Sequence, residues 1–364
     1  MVRTGASSYI RYGWETTFGA APTLSTLDKA FGLNARLTNW DLTNSPKDLP
    51  TLGQVEVKDY AYGQQTGSMG VDFVLSNPWI FGAIYGEPAR TGSSPYVYKY
   101  GTTAGVHAAA KAVRSFTTEV GFQAENTGTD QFITRRGLGC VANSLSVSTS
   151  IDSTVDCSMG ISYGKEDSET DGTIYNANSA GTTGGFESSP PADDVAFPYT
   201  FAHGQLKWAG NNVADTGSAN SIVAELQDAS INFSQNPTLL YTIGSHQSVA
   251  SFRRVFDITG SFTASWKNDD KLDQLLDQIR KPLTKSTISL SSAPEIELVF
   301  TNDNYGDTAD ATTKDIVIKL HGVRPDSVAI NGIQPVEPVF ENIAWRTKTC
   351  EILATNSVAR TSPF

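Results

Sequence analysis

The chain has 364 residues, of which 39% are hydrophobic and 18% charged, and its formal net charge is −11. A protein that binds DNA regardless of base sequence carries a basic surface, so this charge disfavours such a function. No apolar run of about 18 residues occurs, which excludes a membrane-spanning helix, and the first residues lack the apolar core of an export signal. Cys140, Cys157 and Cys350 have no metal-binding or disulfide-framework spacing, and we expect them to be small core residues.

The first part of the chain alternates short apolar stretches with turn residues, a pattern typical of β-strands. YIRYGW (9–14) predicts a short strand, and an extended arm follows it to about residue 32. Pro78 starts a short apolar helix over 79–85, because the first helical turn does not need its missing N–H, and Gly86 is the expected end. Further strands are predicted over 33–42, 54–62, 68–75, 116–122 and 131–136, with a turn over 63–67.

Residues 143–163 (NSLSVSTSIDSTVDCSMGISY) alternate apolar and polar side chains almost throughout. A period of two gives a ribbon with two faces, and turn-forming residues over 150–154 place its bend. We expect the apolar face to pack on a core. The polar face has hydroxyl and acidic groups without lysine or arginine: Ser144, Ser146, Ser148, Ser150, Asp152, Thr154, Asp156, Ser158 and Ser162.

The edges of this ribbon lack the lysine and proline residues that usually protect sheet edges from pairing. We therefore expect copies of the same chain to pair with these edges, as closure into a ring would achieve. An ordinary solvent-exposed sheet is the alternative that the pattern leaves open.

Four pairs of segments match in the same order at an offset of roughly 180–195 positions, which predicts an internal duplication. The pairs are 33–46 with 224–237, 67–85 with 260–279, 116–122 with 295–300, and 139–147 with 322–330. The second helix would carry an apolar stripe at Leu272, Leu275, Leu276 and Ile279. Residues 165–197 are polar and turn-rich, which is typical of a linker or surface loop. We predict a first unit over 1–165, a linker over 166–197 and a second unit over 198–364.

Motifs of common enzyme classes are absent, including G-x-S-x-G, H-E-x-x-H, the P-loop and G-x-G-x-x-G. The acidic cluster over 166–171 lacks the EF-hand pattern. Arg135 and Arg136 lie in a predicted strand, where we expect ion pairs rather than DNA contacts. We predict no catalytic residue, no metal and no cofactor. Histidines at metal-ligand spacing are also lacking among His107, His203, His246 and His321.

The pattern as a whole resembles the tail tube proteins of tailed bacterial and archaeal viruses. The resemblance is carried by YIRYGWETTFGAAP (9–22), by GSMGVDFVLSNPWIFGAIYG (67–86) and above all by the residues from SFTTEVGF to GISYGKE (115–166). The second half follows the same plan through 260–276 and 336–345. Pro335 and Pro338 interrupt ladder pairing, so the second hairpin is expected to be less regular than the first.

The resemblance implies a mainly β fold, with two tandem β-sandwich units that each have a short flanking helix. Strands from all copies would join into a β-barrel that lines a pore, and stacked rings would conduct genomic DNA without binding it tightly. A duplicated chain would need three copies for a pseudo-sixfold ring. The other implied partners are tail proteins, namely the terminator, the baseplate or tip, and the tape measure. The location would be the virion tail, assembled in the host cytoplasm without a membrane.

On this hypothesis the polar face of the 144–162 hairpin lines the lumen, because Ser, Thr and Asp offer no cation to phosphate groups. The reverse assignment, with this face outward, is the main alternative. The arm (about 15–32) would reach a neighbouring subunit, and the segment around 164–200 would face outward or towards the adjacent ring.

Two other functions are compatible with a β-rich chain. One is a receptor-binding or decoration β-sandwich protein on a virion surface. The other is a β-sandwich enzyme acting on glycans, which would need paired carboxylates in one cleft. Assembly discriminates between them, because a tube subunit forms rings or tubes at high concentration.

Overall fold

A computed structural model describes most of the chain. The residues described are 9–22, 29–50, 57–61, 63–92, 96–101, 115–123, 131–166, 175–177, 198–200, 204–209, 224–252, 255–266, 276, 279–280, 295–302, 314–331, 339–347 and 349–356. Within them the fold is mainly β, as predicted, and no helix is long and apolar enough to span a membrane.

The described strands follow one another in the order β1 (Tyr9–Trp14), β2 (Leu33–Asn44), β3 (Lys47–Pro50), β4 (Val57–Ala61), β5 (Gln65–Val74), β6 (Ala89–Thr91), β7 (Tyr96–Tyr100), β8 (Phe116–Gln123), β9 (Gln131–Ser150), β10 (Asp156–Tyr163), β11 (Lys165–Glu166), β12 (Tyr175–Ala177), β13 (Gly204–Ala209), β14 (Ala224–Ser234), β15 (Thr238–Leu240), β16 (Ala250–Phe252), β17 (Asp257–Trp266), β18 (Glu295–Asn302), β19 (Lys314–His321), β20 (Arg324–Asn331), β21 (Phe340–Thr347) and β22 (Thr349–Asn356).

Eight of these strands form the main sheet, in the order β2-β5-β10-β9-β14-β17-β21-β20, and every neighbouring pair is antiparallel. The first four strands come from the first half of the chain and the last four from the second half. The two halves meet where β9 pairs with β14, so one continuous sheet crosses the predicted boundary.

A second layer is built on both halves. The N-terminal part of β9 continues past the main sheet and pairs with β8, β11 and β12, and β8 pairs with β1. The second half contributes the order β13-β18-β19-β22, which β7 and β6 from the first half extend. Two separate hairpins, β3–β4 and β15–β16, follow the ends of β2 and β14.

The core lies between these layers and contains the apolar face of the main sheet. Alternation explains its composition, since Leu145, Val147, Cys157, Met159 and Ile161 are all buried. Large aromatic side chains, Trp79, Tyr98 and Tyr100 among them, fill the space next to the helix. All three cysteines are buried with free thiols, as predicted.

The short helix occurs where proline and glycine place it. A 3₁₀ turn over Trp79–Phe81 continues into α1 (Gly82–Tyr85), and the whole segment is buried. Gly86 ends it with φ of +82°, a conformation that favours glycine. The predicted second helix lies mostly outside the described residues, although 276, 279 and 280 are helical.

Two expectations need correction. The edges of the 143–163 ribbon pair with β5 and β14 of the same chain rather than with other copies, so the sheet's end strands are β2 and β20. The predicted turn over 63–67 is shorter, because strand β5 already begins at Gln65.

Parts of the N-terminal arm pack on its own chain, where Glu15 and Phe31 are buried, whereas Thr16, Thr17, Ala20 and Ala21 are exposed. The amide of Glu15 donates to the carbonyl of Ser115 at 3.0 Å, and Tyr12 and Lys29 exchange backbone hydrogen bonds. The reach of the arm to a neighbouring subunit stays a prediction, and 23–28 lie outside the described residues. Most of 166–197 lies outside them too, as do Pro335 and Pro338.

Candidate functional site: the polar face and end strands of the main sheet

The predicted polar residues of the β9–β10 hairpin lie where alternation places them. Ser148 is directly opposite Asp156, and Ser146 is opposite Ser158, on the side of the sheet away from the buried apolar residues. The bend also falls where predicted, with the amide of Ser153 donating to the carbonyl of Ser150 at 3.1 Å. Five of the nine predicted residues are exposed, namely Ser148, Ser150, Asp152, Asp156 and Ser158, whereas Ser144, Ser146, Thr154 and Ser162 are half-buried.

A β-bulge at Asn143 interrupts this face near its end. Ser144 pairs with Gly160 and Ala142 pairs with Ile161, so Asn143 has no opposite residue. Its side-chain amide donates to the hydroxyl of Ser162 at 2.8 Å. The bulge therefore keeps Ser162 on the polar side while strand β9 bends into the second layer.

The polar face extends over neighbouring strands that were not singled out from the sequence. Asn232 on β14 lies opposite Ser146 and Thr259, and the hydroxyls of Ser230 and Ser261 are 2.9 Å apart. The same period-two signal is present in those strands, where Ser230, Asn232 and Ser234 alternate with buried Ala229, Ile231 and Phe233. The face is thus a property of the whole sheet.

This face is poor in available positive charge. The main-sheet strands, excluding residues 131–140 of β9, contain three arginines, no lysine and eight acidic residues. Arg36 Nη2 lies 3.2 Å from Asp72 Oδ2, and Arg346 Nε lies 2.8 Å from Asp326 Oδ1. Acidic partners therefore neutralise two of the three arginines, and the sheet is net negative.

The end strands carry partly exposed apolar side chains. Leu42 on β2 is 40% exposed and Ile330 on β20 is 54% exposed, while Trp40 and Val328 are half-buried. Both end strands are paired on one side within the described residues. They therefore offer a backbone edge and an apolar side-chain row to another strand.

Trp40 is held by a polar cluster that sequence analysis assigned only in part. The guanidinium of Arg135 lies 5.1 Å from the centre of the Trp40 ring and pairs with Glu166 through bonds of 2.6 and 2.8 Å. Tyr163 donates to the backbone carbonyl of Asp41 at 2.9 Å. These contacts confirm the predicted ion pair of Arg135 and fix the geometry of the β2 edge.

Two buried carboxylates fasten the second layer to the main sheet. Glu119 pairs with both Arg11 and Arg136, which confirms the predicted ion pair of Arg136. Glu15 accepts hydrogen bonds from Ser115 Oγ at 2.5 Å and from the amide of Gly139 at 2.8 Å. Burial raises the pKa of the Glu15 carboxyl despite these bonds, which by themselves lower it. Both clusters are structural.

The described residues contain no group of three His, Cys, Asp or Glu side chains that could hold a metal ion. A family model described as phage tail tube protein matches residues 5–347, which is nearly the whole chain. The chain belongs to the phage tail tube protein family. No curated protein matches it.

Membership of the tail tube family confirms the predicted resemblance and gives the function at a coarse level. A tail tube protein is a structural protein of the virion tail, so membership implies a role that is not enzymatic. It also supports self-association and contacts with other tail components.

Proposed function

We propose that this protein is the major tail tube subunit, which assembles into stacked rings that form the DNA-conducting channel of the tail. The observation that carries the proposal is the junction between β9 and β14. This junction joins the two halves of the chain edge to edge. The two end strands of the main sheet, β2 and β20, correspond to the two strands of the junction, β14 and β9.

The correspondence rests on strand order. The first half of the main sheet has the order β2-β5-β10-β9 and the second half has the order β14-β17-β21-β20. In both halves the four strands, numbered along the chain, therefore lie across the sheet in the order first, second, fourth, third. The second-layer orders also correspond, because β1, β8 and the N-terminal part of β9 match β13, β18 and β19, while the C-terminal part of β9 matches β20. A β-bulge falls at Asn143 in one half and at Asp326 in the other. These agreements support a duplicated unit, with a first unit over 1–165, a linker over 166–197 and a second unit over 198–364.

The duplication supplies a template for contacts between chains. Because β14 corresponds to β2 and β9 corresponds to β20, the edge of β20 should pair with β2 of the next chain as β9 pairs with β14. In the internal junction Leu145 lies opposite Phe233, and Val147 lies opposite Ile231. Val328 and Ile330 of β20 take the places of Leu145 and Val147, and Leu42 and Trp40 of β2 take the places of Phe233 and Ile231. The expected pairs between chains are therefore Val328 with Leu42 and Ile330 with Trp40.

Burial supports this register. The four internal residues are almost fully buried, between 0% and 3% exposed. Their counterparts on the end strands are apolar as well, yet they are half-buried or exposed in the single chain. Pairing with a second chain would remove their apolar surface from water and satisfy the backbone groups of both edges.

Ring closure follows from repetition of this contact. An end strand that pairs with a different end strand of the next copy makes a heterologous contact, which closes into a ring when the rotation per copy divides a full turn. Each chain would contribute two sectors, so three copies give a pseudo-sixfold homotrimer. The second layer covers the apolar face, so it would lie outside the closed sheet and leave the polar face towards the lumen.

The lumen would then be lined by the hairpin residues Ser144 to Ser162 named above and by their neighbours on β14 and β17. Since two of the three arginines of the sheet are paired with aspartate, phosphate groups would find few cations and DNA could pass without tight binding. We extend the proposal to the tail terminator, the baseplate or tip and the tape measure as partners, with assembly in the host cytoplasm.

Electron microscopy of the purified protein, combined with native mass measurement, tests the proposal. We expect rings or tubes with a hole of DNA width and a ring mass three times that of one 39.1-kDa chain. A monomer that stays monodisperse at high concentration would overturn it and favour a receptor-binding or decoration protein. A ring of six chains would keep the channel but refute two sectors per chain.

A further inference from the structure

Two pairs of features fix how individual residues of the two halves match. Gly139 and Gly322 both have a positive φ, of +63° and +71°. The bulged residues Asn143 and Asp326 follow these glycines by four positions in each half. The same match extends along the N-terminal part of β9 and along β19, and from there across to their partner strands β11 and β22.

On the proposed duplication, the matched residues around β2 and around β14 have different chemistry. Around β14 they are at most 7% exposed and none carries a formal charge: Ile231, Ile318, Thr347 and Cys350. Around β2 they are two aromatic and two charged side chains, which we name the Trp40 cluster: Trp40, Arg135, Tyr163 and Glu166. The Trp40 cluster therefore belongs to the end strand and has no equivalent at the internal junction.

Three contacts hold the indole ring of Trp40 in one orientation. The guanidinium of Arg135 lies 5.1 Å from the ring centre. The ring of Tyr163 lies 5.6 Å away with an interplanar angle of 52°, and Trp40 Nε1 donates to Glu166 Oε2 at 3.4 Å. Glu166 also pairs bidentately with Arg135, so the cation over the ring and the acceptor at its edge fix each other. The ring is thus ordered within the single chain.

Trp40 stays half-buried because one side of its strand is open. Met69 on β5 lies directly opposite Trp40 and is 2% exposed, whereas no described strand pairs with the other side of β2. Tryptophan is enriched among the few residues that dominate the binding energy of protein interfaces. A ring that is already ordered loses little conformational freedom on binding, which favours association.

We propose that Trp40 is the anchor residue of the seam between chains, and that Arg135 and Glu166 are positioning residues that orient its ring towards a second copy of this chain. The side chain that the ring receives is Ile330 of that copy. The inference rests on the proposed function, because Ile330 lies opposite Trp40 only in the ring. Ile330 is 54% exposed and uncharged, so it suits a flat apolar partner.

Covalent connection explains why the internal junction lacks such a cluster. Strands β9 and β14 belong to one chain, so their effective concentration is high and their pairing involves no loss of translational freedom between molecules. The seam forms between separate chains and must offset that loss with its own contacts. An anchor on the end strand therefore supplies affinity where the covalent connection is missing.

The dissociation constant of the ring, measured by mass photometry over a range of protein concentrations, tests the inference. Trp40→Ile copies the junction residue and should weaken the ring at least about tenfold, and Trp40→Ala at least about 30-fold. Arg135→Gln should weaken it about tenfold on its own. It should cause little further loss in W40A/R135Q, because Arg135 acts through the ring that this variant already lacks.

Arg36→Gln is the matched control. Arg36 is also paired with a carboxylate, that of Asp72, but it lies on the polar face of β2. Its replacement should leave the dissociation constant of the ring unchanged. Melting temperatures of Leu42→Asp monomers that carry each change report on folding, and Arg135→Gln should barely lower them, because its side chain is 36% exposed.

The outcomes separate this inference from the proposed function. If Trp40→Ile forms rings as tightly as the wild type while Leu42→Asp stays monomeric, the seam stands and the anchor is overturned. Additive losses in W40A/R135Q, or an equal loss from Arg36→Gln, would overturn the positioning role of Arg135. A wild type that forms no ring refutes the proposed function and, with it, the seam.

Discussion

Phe233 lies directly opposite Leu145 in the junction where β14 pairs with β9, and both side chains are fully buried. This pair joins two halves of one chain that are far apart in sequence. On the proposed duplication their counterparts in the end strands are Leu42 and Val328, and β2 and β20 are each paired on one side only within the described sheet. The proposed ring would use between chains the arrangement that one chain uses internally.

Leu42→Asp should prevent ring formation without unfolding the monomer. Leu42 is 40% exposed in the single chain, so a polar replacement there should change its stability by about 0.5 kcal/mol or less. In the proposed seam the same carboxylate would be buried against Val328 without a partner, which is strongly unfavourable. Native mass spectrometry should therefore find monomers with a wild-type melting temperature.

Thr43→Asp is the matched control for this change. Thr43 is the next residue on β2, is exposed and points to the opposite face of the strand. This variant should still form rings. Rings of wild-type mass from Leu42→Asp would contradict the proposed seam.

A disulfide can test the register of the seam. In L42C/V328C the two new thiols should face each other across neighbouring chains, within the Cβ separation that a disulfide needs. Oxidation should then give covalent multimers of up to three chains on a non-reducing gel. The native thiols should not interfere, because all three are buried and burial raises the pKa of Cys350 to about 12.

The pair L42C/I330C serves as the control for register. Ile330 is two residues along β20 on the same face, so its thiol should be roughly 7 Å or more from residue 42 of the next chain. Cross-linking should be much slower in this variant. Equal or faster cross-linking would mean that the seam is shifted by two residues from the internal junction.

The sequence pattern predicted the main hairpin well, because the alternation of side chains between two faces is the same whichever strand lies alongside. The burial of Val147 and Met159 and the exposure of Ser158 follow from alternation alone, and the turn-forming residues over 150–154 predicted the bend near Ile151. The helix over 79–85 was predictable for a similar local reason, since Pro78 and Gly86 mark its two ends.

The partners of the strands were not predictable in the same way. Pairing of β9 with β14 joins residues about 80 positions apart, and alternation says which face a residue occupies but not which strand lies beside it. The two proposed alignments of the halves also differ by two residues. Aligning Trp40 with Ile231 aligns their strand partners Met69 and Gly260, whereas the sequence match aligned Gly67 with Gly260.

Cations introduced on the polar face should make assembled rings hold DNA. Ser158 and Asn232 are exposed and uncharged in the wild type. In S158K/N232K each new lysine would add a phosphate contact, and the slope of log K against log salt concentration should steepen by about 0.9 for each contact. Fluorescence polarisation of a short labelled duplex, repeated at several salt concentrations, measures this slope.

Thr91→Lys is the control for the lumen prediction, since Thr91 is exposed on β6 in the second layer. In the proposed arrangement this lysine lies outside the channel. The binding of the labelled duplex within the channel should therefore be the same as in the wild type. Equal DNA binding by Thr91→Lys and by S158K/N232K would show that the polar face is not a distinct lumen. The reverse assignment of the face predicts that outcome.

Glu351→Gln should weaken the fold at neutral pH and much less in acid. Glu351 on β22 pairs with Lys99 on β7, and its second oxygen lies 3.5 Å from His321 Nε2, so this carboxylate connects the two halves of the chain. Burial alone would raise the pKa of Glu351, but hydrogen bonds from His321 and Lys99 outweigh it and the pKa is lowered. Loss of the charge should cost about 1–3 kcal/mol, less than for a fully enclosed pair, because Lys99 is partly exposed.

The direction of the pH effect follows from the lowered pKa. The folded state binds this proton less readily than the unfolded state, whose carboxyl titrates near the ordinary value of 4.5. The stabilisation is therefore present above that value and is lost as the pH falls through the folded pKa. Denaturant unfolding of Leu42→Asp monomers, with and without Glu351→Gln, should show a difference that is present at about pH 5 and shrinks below about 4.5. A difference that persists unchanged to about pH 3 would mean that the side chain stabilises the fold by packing rather than by charge.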